Sequence, residues 1–276
     1  MVRGSPAVAR DLSRLNRGTS VEITVDRLSH VFRSPHTGES VEAVHELDLT
    51  IGSGEFVTVV GPSGCGKSTL LKAIAGLLTP TSGTITCDGT KVTGPGRDRG
   101  VVFQELAIMP WRTVRRNIGH GLEIQGVPRR ERDERVAYYV DLMKLGGFED
   151  KYPHELSGGM KQRVAVARTW ASDADAILMD EPFAAVDAQT RLTLQEELLK
   201  VSQVTDRTLL FITHNTEEAV FLGDRVVVMS RRPGRVKEIV EVATPRADRE
   251  IGVMLSDPAV REQNEHVLRL VREEVT

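Results

Sequence analysis

The sequence predicts an α/β protein built around a mainly parallel sheet, and three observations predict it. Short apolar runs at residues 56–60, 176–179 and 209–213 each lead into residues that carry chemistry: Gly61, Asp180 and His214. Continuous apolar runs of this length suit strands buried on both faces of a parallel sheet. The first run enters Gly61-Pro62-Ser63-Gly64-Cys65-Gly66-Lys67-Ser68-Thr69, and a helical pattern follows at once. Between about 112 and 172 the pattern is helical, an insertion between the first strand and the second. In open α/β sheets ligands bind beyond the carboxyl ends of the strands, so three such ends define one expected site.

The elements follow in order. Residues 1–20 show no sustained period and read as a flexible leader. Residues 21–25 alternate as a half-buried strand does, residues 34–38 form a turn cluster, and residues 43–51 alternate again. An antiparallel sheet near the N-terminus is the simplest reading. After the glycine-rich loop, Leu70, Leu71, Ile74, Ala75, Leu77 and Leu78 give a helix an apolar face, and Thr79-Pro80 is expected to end it. Residues 129–145 carry Val136, Tyr139, Val140 and Met143 at helical spacing behind Pro128. A second helix is expected over 160–171, opened by Ser157-Gly-Gly. From Pro258, Val260, Val267, Leu268 and Val271 fit a terminal amphipathic helix. No internal repeat appears.

Composition narrows the function. The 276 residues carry 36 basic and 39 acidic side chains, a formal charge of −3. That balance argues against nucleic-acid binding by broad phosphate neutralisation. No apolar run approaches the roughly 20 residues of a membrane-spanning helix, and no signal-peptide core follows the N-terminal arginines. A cytosolic chain that touches a membrane only through a partner is expected. Two cysteines, Cys65 and Cys87, make no disulfide framework. The seven histidines never pair at i+3 or i+4, which argues against a histidine-based structural metal site.

The loop at 61–69 matches G-x-x-x-x-G-K-[ST] between a strand and a helix. Its glycines let several backbone N–H groups turn toward one anion, and the helix N-terminus adds partial positive charge. Lys67 is expected to reach the β- and γ-phosphates and Ser68 to ligate Mg²⁺. Cys65, inside this loop, is expected to have a lowered thiol pKa. It should then be open to alkylation that bound ATP blocks. Asp180-Glu181 ends an apolar strand with two acids. Asp180 is suited to hold the metal, and Glu181 to polarise an attacking water.

Leu156-Ser157-Gly158-Gly159-Met160-Lys-Gln-Arg163 precedes the acidic strand. With it the sequence resembles the ATP-binding cassette (ABC) ATPases over roughly residues 21–242. Phe32 looks like the adenine-stacking aromatic of the family's A-loop and Gln104 like its Q-loop glutamine. Ala185-Val186-Asp187 looks like its D-loop, and His214 like its switch histidine. The resemblance implies a P-loop cassette at 21–250. It would hold a mixed core sheet, an N-terminal antiparallel β-subdomain and a helical subdomain inserted at about 105–172, with a helical extension at 251–276. Ser157 can cap the following helix while Gly158 and Gly159 expose its N–H groups, a second anion site. In the family that site faces the γ-phosphate held by the other subunit. The implied assembly is a head-to-tail pair of identical chains closed over two ATP molecules. Departures are Met160 for the usual Gln, Val186 for Leu, Phe32 for Tyr, and Asn215 after His214 where Asp often stands.

The segments 104–114 and 180–191 are similar to the nitrate/sulfonate/taurine group of bacterial importers. Trp111 with Arg112, Arg115 and Arg116 forms an expected docking patch for a membrane permease. The resemblance implies the ATP-hydrolysing subunit of an importer, peripheral on the cytoplasmic face of the membrane. An external binding protein would deliver the solute. Glu181, His214 and Gln104 would be catalytic, and Ser68, Gln104 and Asp180 would hold the metal. Phe32, residues 61–69, Ser157, Gly158, Gly159 and Asp187 would contact nucleotide. A soluble ABC ATPase of cluster assembly is the alternative, disfavoured by Met109-Pro-Trp111 and residues 187–191.

Overall fold

A computed structural model describes residues 19–34, 38–104, 107–254 and 256–275. The expected leader lies almost wholly outside them. Two sheets form. In the first, β1 (Ile23–Arg33) lies between β2 (Ser40–Ile51) and β4 (Ser82–Cys87), and the short β5 (Thr90–Lys91) closes the edge; every pairing is antiparallel. The second holds β3 (Phe56–Val60), β6 (Arg99–Val102), β7 (Ala176–Asp180), β8 (Thr208–Ile212), β9 (Arg225–Met229) and β10 (Val236–Glu241) in the order β10-β9-β3-β8-β7-β6. All its neighbours are parallel except β9 and β10. The mixed core sheet and the antiparallel N-terminal sheet agree with the expected fold class.

The side-chain period of a strand divides the interior in two. Val57, Val59, Leu178, Leu210, Ile212 and Val227 face a core shared with the antiparallel sheet and with α1 (Lys67–Ile74). Phe56, Val60, Ile177, Met179, Phe211 and Val228 face the opposite way, into a core shared with the helices. Because both faces are covered, these strands carry no polar alternation, which is why they appear in sequence as unbroken apolar runs.

The helices are α2 (Val114–Ile118), α3 (His120–Ile124), α4 (Arg129–Leu142), α5 (Gly158–Ala171), α6 (Ala188–Val204), α7 (Thr216–Leu222), α8 (Ile251–Met254) and α9 (Pro258–Glu273). Two helix ends differ from expectation. α1 stops at Ile74 rather than at Thr79, because Gly76 turns left-handed at φ 73°. A Cβ there would lie 2.1 Å from the Gly94 carbonyl oxygen, so only glycine fits. Leu77 is consequently exposed rather than part of an apolar helix face. α4 ends at Leu142, where Lys144 turns left-handed (φ 51°) and Arg163 donates to the Met143 and Lys144 carbonyls at 3.0 and 3.1 Å. α9 begins at Pro258, as expected, with Asp257 capping Ala259 N at 2.9 Å.

Candidate nucleotide site

Strand register sets the site. Val59 pairs with Ile212, and Ile212 with Asp180, so β3, β8 and β7 end side by side. Gly61, Thr213 and Glu181 therefore emerge at one edge. The Glu181 amide donates to the Ile212 carbonyl at 3.0 Å, and the Thr213 amide to Val59 at 3.1 Å.

The phosphate loop leaves β3 through Gly61 and enters α1 through Gly66, whose φ of 104° only glycine readily adopts. A Cβ on Gly66 would also meet Val44 Cγ2 at 2.7 Å and the Ala43 carbonyl at 2.8 Å, so β2 braces the loop from behind. Ser63 and Gly64 are exposed at its crest, between half-buried Pro62 and buried Cys65. Lys67 is buried, and its Nζ donates to the Gly61 and Pro62 carbonyls at 2.8 and 2.9 Å. The ammonium is thus held against the start of the loop, and Thr69 is buried.

Ser68 bonds to the Asp180 carboxylate. Burial raises the Asp180 pKa, and the Ser68 hydroxyl opposes the shift. A buried carboxylate against a hydroxyl at the end of a phosphate loop is an all-oxygen donor set that suits a small hard cation. Glu181 follows in the left-handed region (φ 47°), a position uncommon for a non-glycine residue. Its Oε2 lies 3.4 Å from His214 Nδ1. His214 is exposed, and the loop under it is anchored by a buried carboxylate. Glu218 accepts from Gln195 Nε2 at 2.7 Å and from the Thr213 hydroxyl, and burial raises its pKa. Asn215 caps α7 through Glu218 N at 3.0 Å, so the Asn found after His214 serves as a helix cap.

Cys65 differs from expectation. It is 1% exposed, and burial raises its thiol pKa despite nearby Lys67, whose Nζ is 3.9 Å from the sulfur. Desolvation of a thiolate outweighs the cation here, so the thiol is neither acidic nor accessible.

The remaining predicted residues fall into two groups. Gln104 is exposed two residues beyond β6, which pairs with β7 and so ends at the same edge. Phe32 is 46% exposed on β1, opposite Val41, and its ring meets His30 edge-on at 4.5 Å. It is therefore two residue pairs from the part of β2 that braces the loop. The second group is the signature turn. Exposed Ser157 caps α5 through Met160 N at 3.3 Å, and Gly158 opens the helix. A Cβ on Gly159 would stand 3.7 Å from the Ala185 carbonyl. The signature turn thus lies on the segment ending at Asp187, which caps α6 through Thr190 N at 2.9 Å.

Two residues escaped the sequence reading. Gly234, in the β9–β10 turn, packs on the phosphate loop: a Cβ there would come within 1.9 Å of the Cys65 carbonyl oxygen. Pro233-Gly234 signals a turn, but nothing local tells what the turn touches. Gln162, buried in α5, bonds to both Glu181 and Ala185. It stands inside the signature segment, yet its partners are about twenty positions away.

A nucleotide-binding cassette is the class that this fold and edge define. Residues 44–184 match the model of the ABC transporter family, and the chain belongs to that family. An uncharacterized ABC transporter ATP-binding protein of Methanocaldococcus jannaschii is 53% identical over 82% of this chain and 84% of its own length. The nitrate import ATP-binding protein NrtD of Synechocystis is 52% identical over 75% of this chain and 77% of its own. The taurine import ATP-binding protein TauB of Roseobacter denitrificans is 44% identical over 88% of both. Among solved structures, a dimeric ATP-binding cassette in a post-hydrolysis state with ADP and Pi superposes with a TM-score of 0.73 at 29% identity, covering 81% of this chain and all of that one.

Proposed function

We propose that this chain is the ATP-hydrolysing subunit of an importer for a small solute of the nitrate, sulfonate or taurine kind. The observation that carries the reading is the meeting of Lys67, Ser68, Asp180, Glu181 and His214 at three adjacent strand ends. The names of the nitrate and taurine relatives supply the solute class. The cassette spans residues 21–250, with the helical insertion at about 105–172 and a helical extension at 251–276.

The roles follow from the chemistry. The amides of residues 61–69 and the Lys67 ammonium bind the ATP phosphates. Ser68 and Asp180 would hold Mg²⁺, with Gln104 as a third ligand from the end of β6. The ion supplies charge neutralisation on the β- and γ-phosphates. Glu181 orients the attacking water and accepts its proton, and His214 beside it contacts the γ-phosphate. Phe32 stacks on the adenine. Ser157, Gly158, Gly159 and Asp187 act on the nucleotide of a second copy in a head-to-tail dimer; the solved cassette is likewise dimeric.

The permease docks at the helical insertion. There Trp111, 74% exposed, opens a groove of about 1010 Å³ with Arg112, Arg115, Arg116 and Arg132. An exposed Trp beside several guanidinium groups is the composition of an interface hot spot. Among the described residues no helix is long and apolar enough to cross a membrane, and the import relatives support a peripheral place on the cytoplasmic face. An external binding protein would bring the solute to the permease. Co-purification with a permease, with ATPase activity stimulated in that complex, is the expected result. A chain that hydrolyses ATP but retains no membrane partner refutes the importer assignment.

A further inference from the structure

We infer that Gln162 is a positioning residue that couples the two ATP sites of the cassette dimer, an inference that rests on the roles proposed above for Glu181 and the signature turn. Gln162 is 2% exposed, on the first turns of α5, directly behind the signature glycines. Its Nε2 donates to the Glu181 carbonyl at 3.3 Å, and its Oε1 accepts from the Ala185 amide at 3.0 Å. The two partners fix which end of the amide points where: an N–H can take only the oxygen and a carbonyl only the hydrogen. One side chain therefore ties the backbone of the catalytic acid, the segment leading to Asp187 and the signature helix.

The backbone that it holds is strained. Glu181 has φ 47°, and such a residue persists only where its surroundings over-determine it. Its amide is fixed by Ile212 at 3.0 Å on the sheet side. Its carbonyl is fixed by Ala184 N at 3.2 Å and by Gln162 on the helix side. Gly159 meets the same Ala185–Val186 backbone that Gln162 holds, at 3.7 Å from a Cβ position to the Ala185 oxygen. When the partner's γ-phosphate draws on the signature turn, α5 carries the displacement to Glu181. Glu181 belongs to the other ATP site, so each site senses occupancy of its twin. The bistable element is the Glu181–Ala185 turn.

The test uses the full chain with Gln162→Glu and Gln162→Leu. Glu is isosteric and, when ionised, keeps the acceptor for Ala185 but loses the donor for Glu181; Leu loses both. Each variant is measured for ATP affinity at equilibrium, phosphate release against ATP concentration, and thermal unfolding. Gln162 lies behind the nucleotide contacts, so ATP affinity should stay within about twofold. Loss of a buried hydrogen bond at the strained residue should lower kcat about tenfold, and the Hill coefficient for ATP should fall from above 1 to 1. Wild-type kcat and Hill coefficient in folded variants overturn the inference. So does a wild-type Hill coefficient of 1, or a loss of ATP affinity as large as the loss of kcat. If Gln162→Leu fails to fold, Gln162→Glu carries the test. Glu181→Gln, run beside them, separates the two readings. If it abolishes turnover while the Gln162 variants behave as wild type, only the coupling falls; if it turns over normally, the assignment of Glu181 falls.

Discussion

Gly234→Ala should loosen the phosphate loop from a position 168 residues away in sequence from the loop's Gly66. The added Cβ would lie 1.9 Å from the Cys65 carbonyl oxygen and 2.8 Å from Met229 Cε. The Met229 methyl can swing aside, but the carbonyl is backbone. Relieving the overlap to an ordinary contact of 3.4 Å moves the turn or the loop by about 1.5 Å. Two hydrogen bonds stand in the way of moving the turn: Gly234 N to Ala43 O at 2.9 Å and His45 N to Gly234 O at 3.0 Å. Each is worth about 0.5–1.5 kcal/mol net, so giving up both costs about 1–3 kcal/mol. Moving the loop instead displaces the amides proposed to hold the phosphates. The expected result is a Tm lower by several degrees, an ATP affinity about tenfold weaker from misplaced amides, or both. Calorimetry and titration with ATP read the two effects separately. Gly94→Ala is the control, since a Cβ there meets nothing within 4 Å. If Gly234→Ala leaves both Tm and affinity at the values of the control, the turn does not brace the loop and the argument fails.

The other predictions rest on single groups. Lys67→Ala should abolish ATP binding, and wild-type affinity by titration would reject the ammonium's role. Glu181→Gln should bind ATP normally but turn over about 10²–10⁴-fold more slowly, and should trap an ATP-bound dimer visible by size-exclusion chromatography. Cys65 should react slowly with iodoacetamide at pH 7. The rate should climb as the pH rises toward the raised thiol pKa, because only the thiolate reacts; fast labelling at neutral pH would show that the thiol is neither buried nor raised. Trp111→Ala should leave the ATPase of the isolated chain unchanged and weaken co-purification of the permease, and unaltered co-purification would move the docking site elsewhere.

What could be read from the sequence was whatever a ligand dictates locally. Lys67, Ser68, Asp180 and Glu181 stand out in the sequence because the phosphate and metal chemistry proposed for them calls for those residue types next to strand ends, where the structure places them. The strands are legible because burial on both faces removes their polar residues. The same locality explains the failures. Leu77 and Leu78 keep the apolar period of α1 going as far as Thr79. The left-handed Gly76 and its approach to the Gly94 carbonyl ended the helix sooner. The cation and helix end beside Cys65 point to an acidic thiol, but burial in the core between the two sheets raises its pKa instead. Gln162 and Gly234 are illegible for a related reason: each acts on backbone atoms far away in sequence, and backbone atoms leave no residue-type signal.

Taken together, these distant contacts give α5 a place that no single motif shows. At its first turns Gln162 holds Glu181 and Ala185, and Arg163 holds the end of α4. Toward its far end Arg168 donates to the Ala107 carbonyl, and Thr169 to Val101 at 3.2 Å. Val101 lies in β6, the strand that delivers Gln104, and Ala107 stands between Gln104 and Trp111. One helix is thus bonded at one end to the Glu181–Ala185 turn and at the other to the segment that leads to Trp111. If the permease docks at the Trp111 groove, as proposed, these hydrogen bonds offer a path from that groove to Gln104 and Glu181 through α5. Arg168→Met keeps the apolar stem and removes the bond to Ala107. It should leave ATP affinity and isolated turnover near wild type while lowering the stimulation of ATPase by the permease. Full stimulation in the reconstituted complex would show that α5 does not carry the signal.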